Sequence, residues 1–165
     1  MKKKIIVIIG MALFFLYPFY PFVHECGHAI TTLFFHGTVK SFIIHPKPYV
    51  LIDQRTVSQE ALYIICLAGI IFPCLFSLLP MENSFIGWSL SLLFRLFGMI
   101  GCLSPIIILL FSSFCSFSTE EDILRACSIN PHTAKLYFLF IFLFVVQFFL
   151  VYRRNFTKFF PKYFI

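Results

Sequence analysis

The sequence predicts an all-α integral membrane protein, a single domain over residues 1–165, with about four transmembrane segments and a short interfacial β-hairpin after the first. Of the 165 residues, 60% are hydrophobic and only 12% are charged, unlike the composition of a soluble domain. Several apolar runs reach the roughly 20 residues that a helix needs to cross a bilayer. Nothing in the chain resembles a soluble linker, so we expect one multi-pass domain with the lipid bilayer as its partner.

The first apolar segment, about residues 5–36, is too long for one straight span. A helix of that length measures roughly 48 Å, whereas the hydrocarbon core is about 30 Å thick. Pro18 and Pro21 predict one kinked helix, or a helix that resumes after Pro21, in preference to a hairpin. We expect Gly37 to stop the helix. The basic start, residues 2–4, imitates a signal peptide, but no small-residue cleavage site follows, so we expect an uncleaved first helix.

The stretch after the first segment changes character and predicts two short strands. The β-type runs are residues 41–44 and 49–52, and Pro46 and Pro48 separate them. We expect a loose hairpin at the membrane interface, followed by a turn at residues 53–56.

The second and third apolar segments cover about residues 58–79 and 85–117. Ser58 is the expected N-cap of the second. The third is again too long for one span, and we expect an irregular break in it, lining a polar cavity, near Gly98, Gly101, Ser104 and Pro105. Arg95 lies inside this segment, and we expect it to pair with Glu82 or to snorkel rather than to contact a substrate or lipid headgroup.

The last part of the chain predicts a short helix and a fourth span. A capping-box pattern begins at Ser118 or Thr119 and opens a helix to about Ser128. The fourth segment covers about residues 134–152, and the basic, aromatic tail at residues 153–162 is expected to be an interfacial anchor.

The positive charges concentrate at the chain termini. The net charge is +6, and about half of the Lys and Arg residues lie near the two ends. This placement predicts topology anchors rather than nucleic-acid binding, and it favours both termini in the cytoplasm. The six cysteines contain no C-x-x-C pair, so we expect them to be small buried hydrophobic residues.

One motif, His24-Glu25-Cys26-Gly27-His28, carries the functional prediction. Positions i and i+4 of a helix share a face, so His24 and His28 are candidate ligands of one Zn²⁺, with Glu25 as general base. A charged side chain at bilayer depth costs roughly 2.5–3.5 kcal/mol, so a polar cluster there requires a reason. The alternative is a satisfied polar cluster between helices or a helix end at the interface.

A catalytic zinc site usually needs a third protein ligand. With four spans, the acidic residues before the fourth lie on the same side as the motif, so we predict Asp122 as that ligand, with Glu120 and Glu121 as alternatives. The other candidates are Asp53, Glu60 and Glu82 among carboxylates, and His36 and His132 among imidazoles.

These residues also resemble a known family. The run from His24 to Ala29, followed by a turn at residues 37–39, is similar to the H-E-x-G-H-A signature of the site-2 proteases, which are membrane-embedded zinc metallopeptidases. The resemblance implies a catalytic base at Glu25, zinc ligands at His24 and His28, and a β-type segment after the first core helix. The chain departs from the family where Ser104-Pro105 replaces an Asn-containing motif and where Ile123, not Gly, follows Asp122.

The expected function is therefore an intramembrane zinc metalloendopeptidase of a bacterial cell membrane, acting on a membrane protein or peptide. The alternative is a non-catalytic membrane scaffold or regulator that retains the zinc site. The absence of Gly after Asp122 favours it, because the resembled family supplies its third ligand from an Asp-Gly motif. The intact Glu25 favours the enzyme, because a site that only holds zinc needs no base. A small transporter or channel is disfavoured, since only one buried ionisable cluster is expected.

Overall fold

The computed structural model describes residues 2–44, 48–111, 126 and 133–164, and these are mostly helical. Four helical stretches within them are long and apolar enough to cross a membrane: Lys3–Phe34, Gln59–Phe76, Phe85–Ile107 and Lys135–Lys162. One two-stranded antiparallel sheet follows the first of them. The predicted helical fold with about four apolar segments and a small β-hairpin is confirmed at this level.

The first segment is one continuous helical stretch rather than a hairpin. It comprises α1 (Lys2–Phe14), a π-helical turn (Phe15–Phe19) and α2 (Tyr20–Phe34). Pro18 lies inside the π-helical turn. Proline lacks the N–H of an α-helical bond and its ring clashes with the preceding turn, so a widened turn is a place where it is tolerated. The motif helix α2 is thereby joined to the N-terminus without a loop.

The end of α2 corrects the prediction that Gly37 stops the helix. His36, not Gly37, has the left-handed backbone, with a φ of 56°. The His36 N–H donates to the Leu33 carbonyl (3.0 Å) and the Gly37 N–H to the Thr32 carbonyl (2.9 Å), which together form a Schellman cap. Gly37 serves packing instead, because a Cβ there would lie 2.4 Å from Cγ1 of Val57.

The predicted hairpin consists of β1 (Thr38–Ile43) and β2 (Tyr49–Asp53). Phe42 pairs with Val50, and the register shifts at a bulge between Val39 and Ser41. β1 begins three residues earlier than predicted, because Thr38 and Asp53 also pair. The Phe42 ring lies 5.8 Å from that of Phe22 in α2, so the hairpin folds back along the motif helix.

The helix α3 (Gln59–Phe76) begins where the sequence predicts. The Ser58 hydroxyl oxygen accepts a hydrogen bond from the Ala61 N–H at 3.2 Å, which confirms Ser58 as N-cap. Pro73 lies inside the helix without ending it.

The helix α4 (Phe85–Phe111) is continuous, so the predicted break in the third segment is wrong. Its glycines mark close packing instead: a Cβ at Gly101 would lie 2.6 Å from the Tyr20 hydroxyl oxygen, and one at Gly98 would lie 3.5 Å from Cδ of Gln147. Pro105 is buried within the helix. Small residues and a buried proline therefore let neighbouring helices approach rather than interrupt α4.

The chain ends in a helical stretch that extends through the predicted tail. It comprises α5 (Thr133–Leu150), a π-helical segment (Val151–Phe159) and α6 (Phe160–Phe164). Asn155, within this tail, is fully buried in the bundle. That the tail is an interfacial anchor stays a prediction.

A buried ion pair joins α4 to its neighbours, as predicted for Arg95. Its Nη2 lies 2.5 Å from Oε1 of Glu82, its Nε donates to the Ser77 carbonyl (3.1 Å) and its Nη1 to Oδ1 of Asn155 (2.5 Å). The Trp88 indole N–H donates to the Asn155 carbonyl at 3.1 Å. The guanidinium is thus neutralised within the protein and does not snorkel.

The predicted helix from residue 118 to 128 lies outside the described residues, apart from Ala126, as do Glu120, Glu121, Asp122 and His132. Ala126 is fully buried, in a core cluster that also contains Cys66 and Leu67 of α3.

Three of the described cysteines, Cys66, Cys74 and Cys102, are buried free thiols, as predicted, while Cys26 is half-buried.

Candidate metal centre

The two motif histidines point their ring nitrogens at each other. Nε2 of His24 lies 3.1 Å from Nε2 of His28, with the ring planes at 77°. Two ligands of one tetrahedral zinc ion, each about 2.0–2.1 Å from it, stand roughly 3.3 Å apart. The nitrogens are therefore near the separation that a shared zinc ion requires.

A backbone carbonyl orients His28. Its Nδ1 lies 2.7 Å from the carbonyl oxygen of Ile65 in α3, and the imidazole is 5% exposed. A carbonyl only accepts, so Nδ1 carries the proton and the lone pair of the neutral ring lies on Nε2. Metal-binding histidines commonly have such an outer hydrogen bond, which fixes the tautomer and the ring orientation.

Two glycines allow this arrangement. A Cβ at Gly27 would lie 2.6 Å from the Ala68 carbonyl oxygen, so the glycine inside the motif permits close contact of α2 with α3. A Cβ at Gly69 would lie 2.5 Å from Nε2 of His28 and 2.6 Å from Nε2 of His24. Gly69 thus leaves the space that the imidazole pair occupies.

Gly69 and Ile65 were not identified from the sequence. The available signal was the Ala68-Gly69 pair, which places two small residues together in a segment rich in large apolar ones. The carbonyl of Ile65 has no sequence signature, because any residue supplies one.

Glu25 follows His24 directly on α2 and is half-buried. Successive residues of a helix are about 100° apart around its axis. Glu25 therefore lies next to the helix face that carries both histidines.

The structure separates the other described third-ligand candidates from the pair. Asp53 binds Nζ of Lys40 at 3.1 Å, and the hydrogen bonds from Lys40 and the Arg55 N–H hold the pKa of its carboxyl below the ordinary range. Glu82 binds Arg95, whereas Glu60 and His36 are exposed.

Within residues 2–44, 48–111, 126 and 133–164, no group of three or more His, Cys, Asp or Glu side chains is placed to hold a metal ion. Two of the predicted metal ligands, His24 and His28, are brought together. The predicted third ligand, Asp122, lies outside the described residues.

Comparisons with protein-family models, with curated proteins and with solved structures found no match for this chain.

Proposed function

We propose that this chain is a multi-pass membrane protein of a bacterial cell membrane and acts there as an intramembrane zinc metalloendopeptidase. The observation that carries the proposal is the convergence of the Nε2 atoms of His24 and His28 at 3.1 Å, with Nδ1 of His28 committed to the Ile65 carbonyl. A pair of imidazoles whose Nε2 atoms converge inside an apolar helix, one of them oriented by a backbone carbonyl, has the donor chemistry of a metal site.

The residues fit zinc in donor type and in space. His24 and His28 would supply two nitrogen ligands, and Gly69 leaves the room in front of them. When bound, zinc would polarise the scissile carbonyl and lower the pKa of water at the site to about 7. We assign the third ligand to Asp122, which precedes the buried Ala126 by four residues in the sequence.

Glu25 has the role of proton carrier in this proposal. Hydrolysis adds a hydroxyl group to the carbonyl carbon and a proton to the leaving amine, while the C–N bond breaks. The Glu25 carboxylate accepts the proton from the attacking water and gives it to the amine nitrogen. A site that only held a metal would need no such base.

The hairpin supplies a means of holding an extended substrate. β1 and β2 pair only with each other among the described residues, and Phe42 reaches Phe22, two residues before His24. We propose that the hairpin lies at the membrane interface and that a substrate segment adds to its edge as a further strand. Changing Ile43 or Val50 to Pro should slow cleavage while zinc content is unchanged; unaltered kinetics would refute edge pairing.

The deciding experiment measures zinc and cleavage on the same preparations. The purified full chain is analysed for zinc and then incubated in proteoliposomes with a membrane-spanning peptide substrate. The Glu25→Gln variant should retain zinc and lose activity by about 10²–10⁴-fold. His24→Ala and His28→Ala should lose both, and Glu60→Gln, which alters an exposed glutamate of α3, is the matched control.

Two results would change the assignment. Wild-type activity in Glu25→Gln would contradict the catalytic role of this carboxylate. Stoichiometric zinc without cleavage in the wild type, across a panel of membrane substrates, would favour the non-catalytic scaffold or regulator.

A further inference from the structure

A groove on the C-terminal helical stretch combines cationic and aromatic side chains. It has a volume of about 510 Å³ and is lined by Phe149, Tyr152, Arg153, Thr157 and Lys158. The Arg153 guanidinium lies 5.8 Å from the centre of the Phe149 ring, so the cation leans over the aromatic wall. The lining therefore combines a mostly apolar surface with the two cationic side chains Arg153 and Lys158.

The π-helical geometry of residues Val151–Phe159 creates this lining. In an α-helix, residues five apart diverge by about 140° around the axis. The i→i+5 repeat of a π-helix instead brings them to nearly the same face. Arg153 and Lys158, and Tyr152 and Thr157, are such pairs, and all four residues line the groove. The Thr157 hydroxyl lies 2.7 and 2.8 Å from the carbonyl oxygens of Tyr152 and Arg153, bracing the widened turn.

The groove lies at the end of the bundle where both termini meet. Nζ of Lys4 lies 5.7 Å from the Phe85 ring centre, Phe85 stacks on Trp88, and Trp88 contacts Phe160 of α6. Glu82 is the acid at this end among the described residues, and Arg95 neutralises it. The cations of the two termini are Lys2, Lys3, Lys4, Arg153, Arg154, Lys158 and Lys162.

We propose that this groove binds the headgroup of an anionic phospholipid. The phosphate lies between the Arg153 guanidinium and the Lys158 ammonium, the Tyr152 side chain lies at headgroup level, and the Phe149 ring contacts the start of an acyl chain. Charge complementarity favours an anionic over a zwitterionic lipid. The apolar wall, at the end of a helix long enough to span a membrane, favours a lipid over a free anion.

The test uses the delipidated full chain in detergent and native mass spectrometry. The probes are phosphatidylglycerol and phosphatidylcholine with identical acyl chains. The wild type should retain phosphatidylglycerol preferentially, and the double variant R153Q/K158Q should bind it about 30-fold more weakly. Arg55→Gln, which removes an exposed cation outside the groove, should bind as the wild type does.

A charge-preserving variant, R153K/K158R, should keep the preference and guards against misfolding of the neutral variant. Equal binding of the two lipids by the wild type, or undiminished binding by R153Q/K158Q, would overturn the proposal. Displacement of the lipid by millimolar inorganic phosphate would assign the groove to a free anion and would also overturn it.

Discussion

Gly69 of α3 leaves the space that the imidazole of His28 in α2 occupies. A methyl group at Gly69 would lie 2.5 Å from Nε2 of His28, a distance that real side chains do not tolerate. The same α3 backbone holds His28 through the Ile65 carbonyl, four residues earlier. One turn of α3 therefore both orients the imidazole and leaves the space beside it.

Changing Gly69 to Ala should displace both imidazoles and weaken zinc binding by at least about tenfold. This is the lower end of the loss in metal affinity seen when the residues that support metal ligands are changed. Zinc affinity measured by competition with a chelator checks this. Gly98→Ala is the matched control, because its Cβ would lie 3.5 Å from the nearest described atom, an ordinary contact. Equal zinc affinity in both variants would show that Gly69 is not required by the pair.

Changing Asp122 to Asn should lower zinc affinity by more than about 100-fold, because removal of a direct ligand costs more than a change in an outer shell. Glu120→Gln and Glu121→Gln serve as controls and should bind zinc as the wild type does. Loss confined to one of these two variants would transfer the third-ligand role to that residue.

Changing Arg95 to Met should lower the free energy of unfolding by about 3–5 kcal/mol, because the buried Glu82 carboxylate would lose the buried cation that contacts it most closely. The double variant R95M/E82Q should recover part of this loss. Arg154→Met is the control, since Arg154 is partly exposed and lies 3.9 Å from Glu82, and it should cost no more than about 1 kcal/mol. Thermal unfolding in detergent measures all three.

The stability of the protein should depend on pH through Glu82. Burial alone raises the pKa of its carboxyl, but the hydrogen bond and charge of Arg95 outweigh burial and hold that pKa below 4.5. A lowered folded-state pKa contributes stability above the ordinary value, and this contribution is lost as the pH falls through the lowered one. The Tm in detergent should therefore fall below about pH 4.5, and this dependence should be weaker in Glu82→Gln.

Changing His36 to Gly should stabilise the protein by about 0.5–1 kcal/mol, because His36 occupies the left-handed position of the α2 cap, which glycine adopts without strain. Zinc content should stay unchanged, since His36 is exposed and lies outside the pair. A loss of zinc in this variant would restore His36 as a candidate ligand.

Local sequence patterns were sufficient for several elements. The apolar runs predicted four segments because helices of about 20 apolar residues suit a bilayer. The Ser58 cap and the hairpin followed from residue chemistry that acts within a few positions. The i, i+4 spacing of His24 and His28 placed them on one helical face.

Only the tertiary structure decided what that face meets. The sequence did not show that Gly69 and the Ile65 carbonyl would stand opposite the imidazoles, because both come from another helix. The sequence also predicted a break in α4 at its glycines and proline, but α4 is continuous. Neighbouring helices instead pack closely against those glycines. Periodicity is set by the backbone of one helix, but the partner of each face is set by packing between helices.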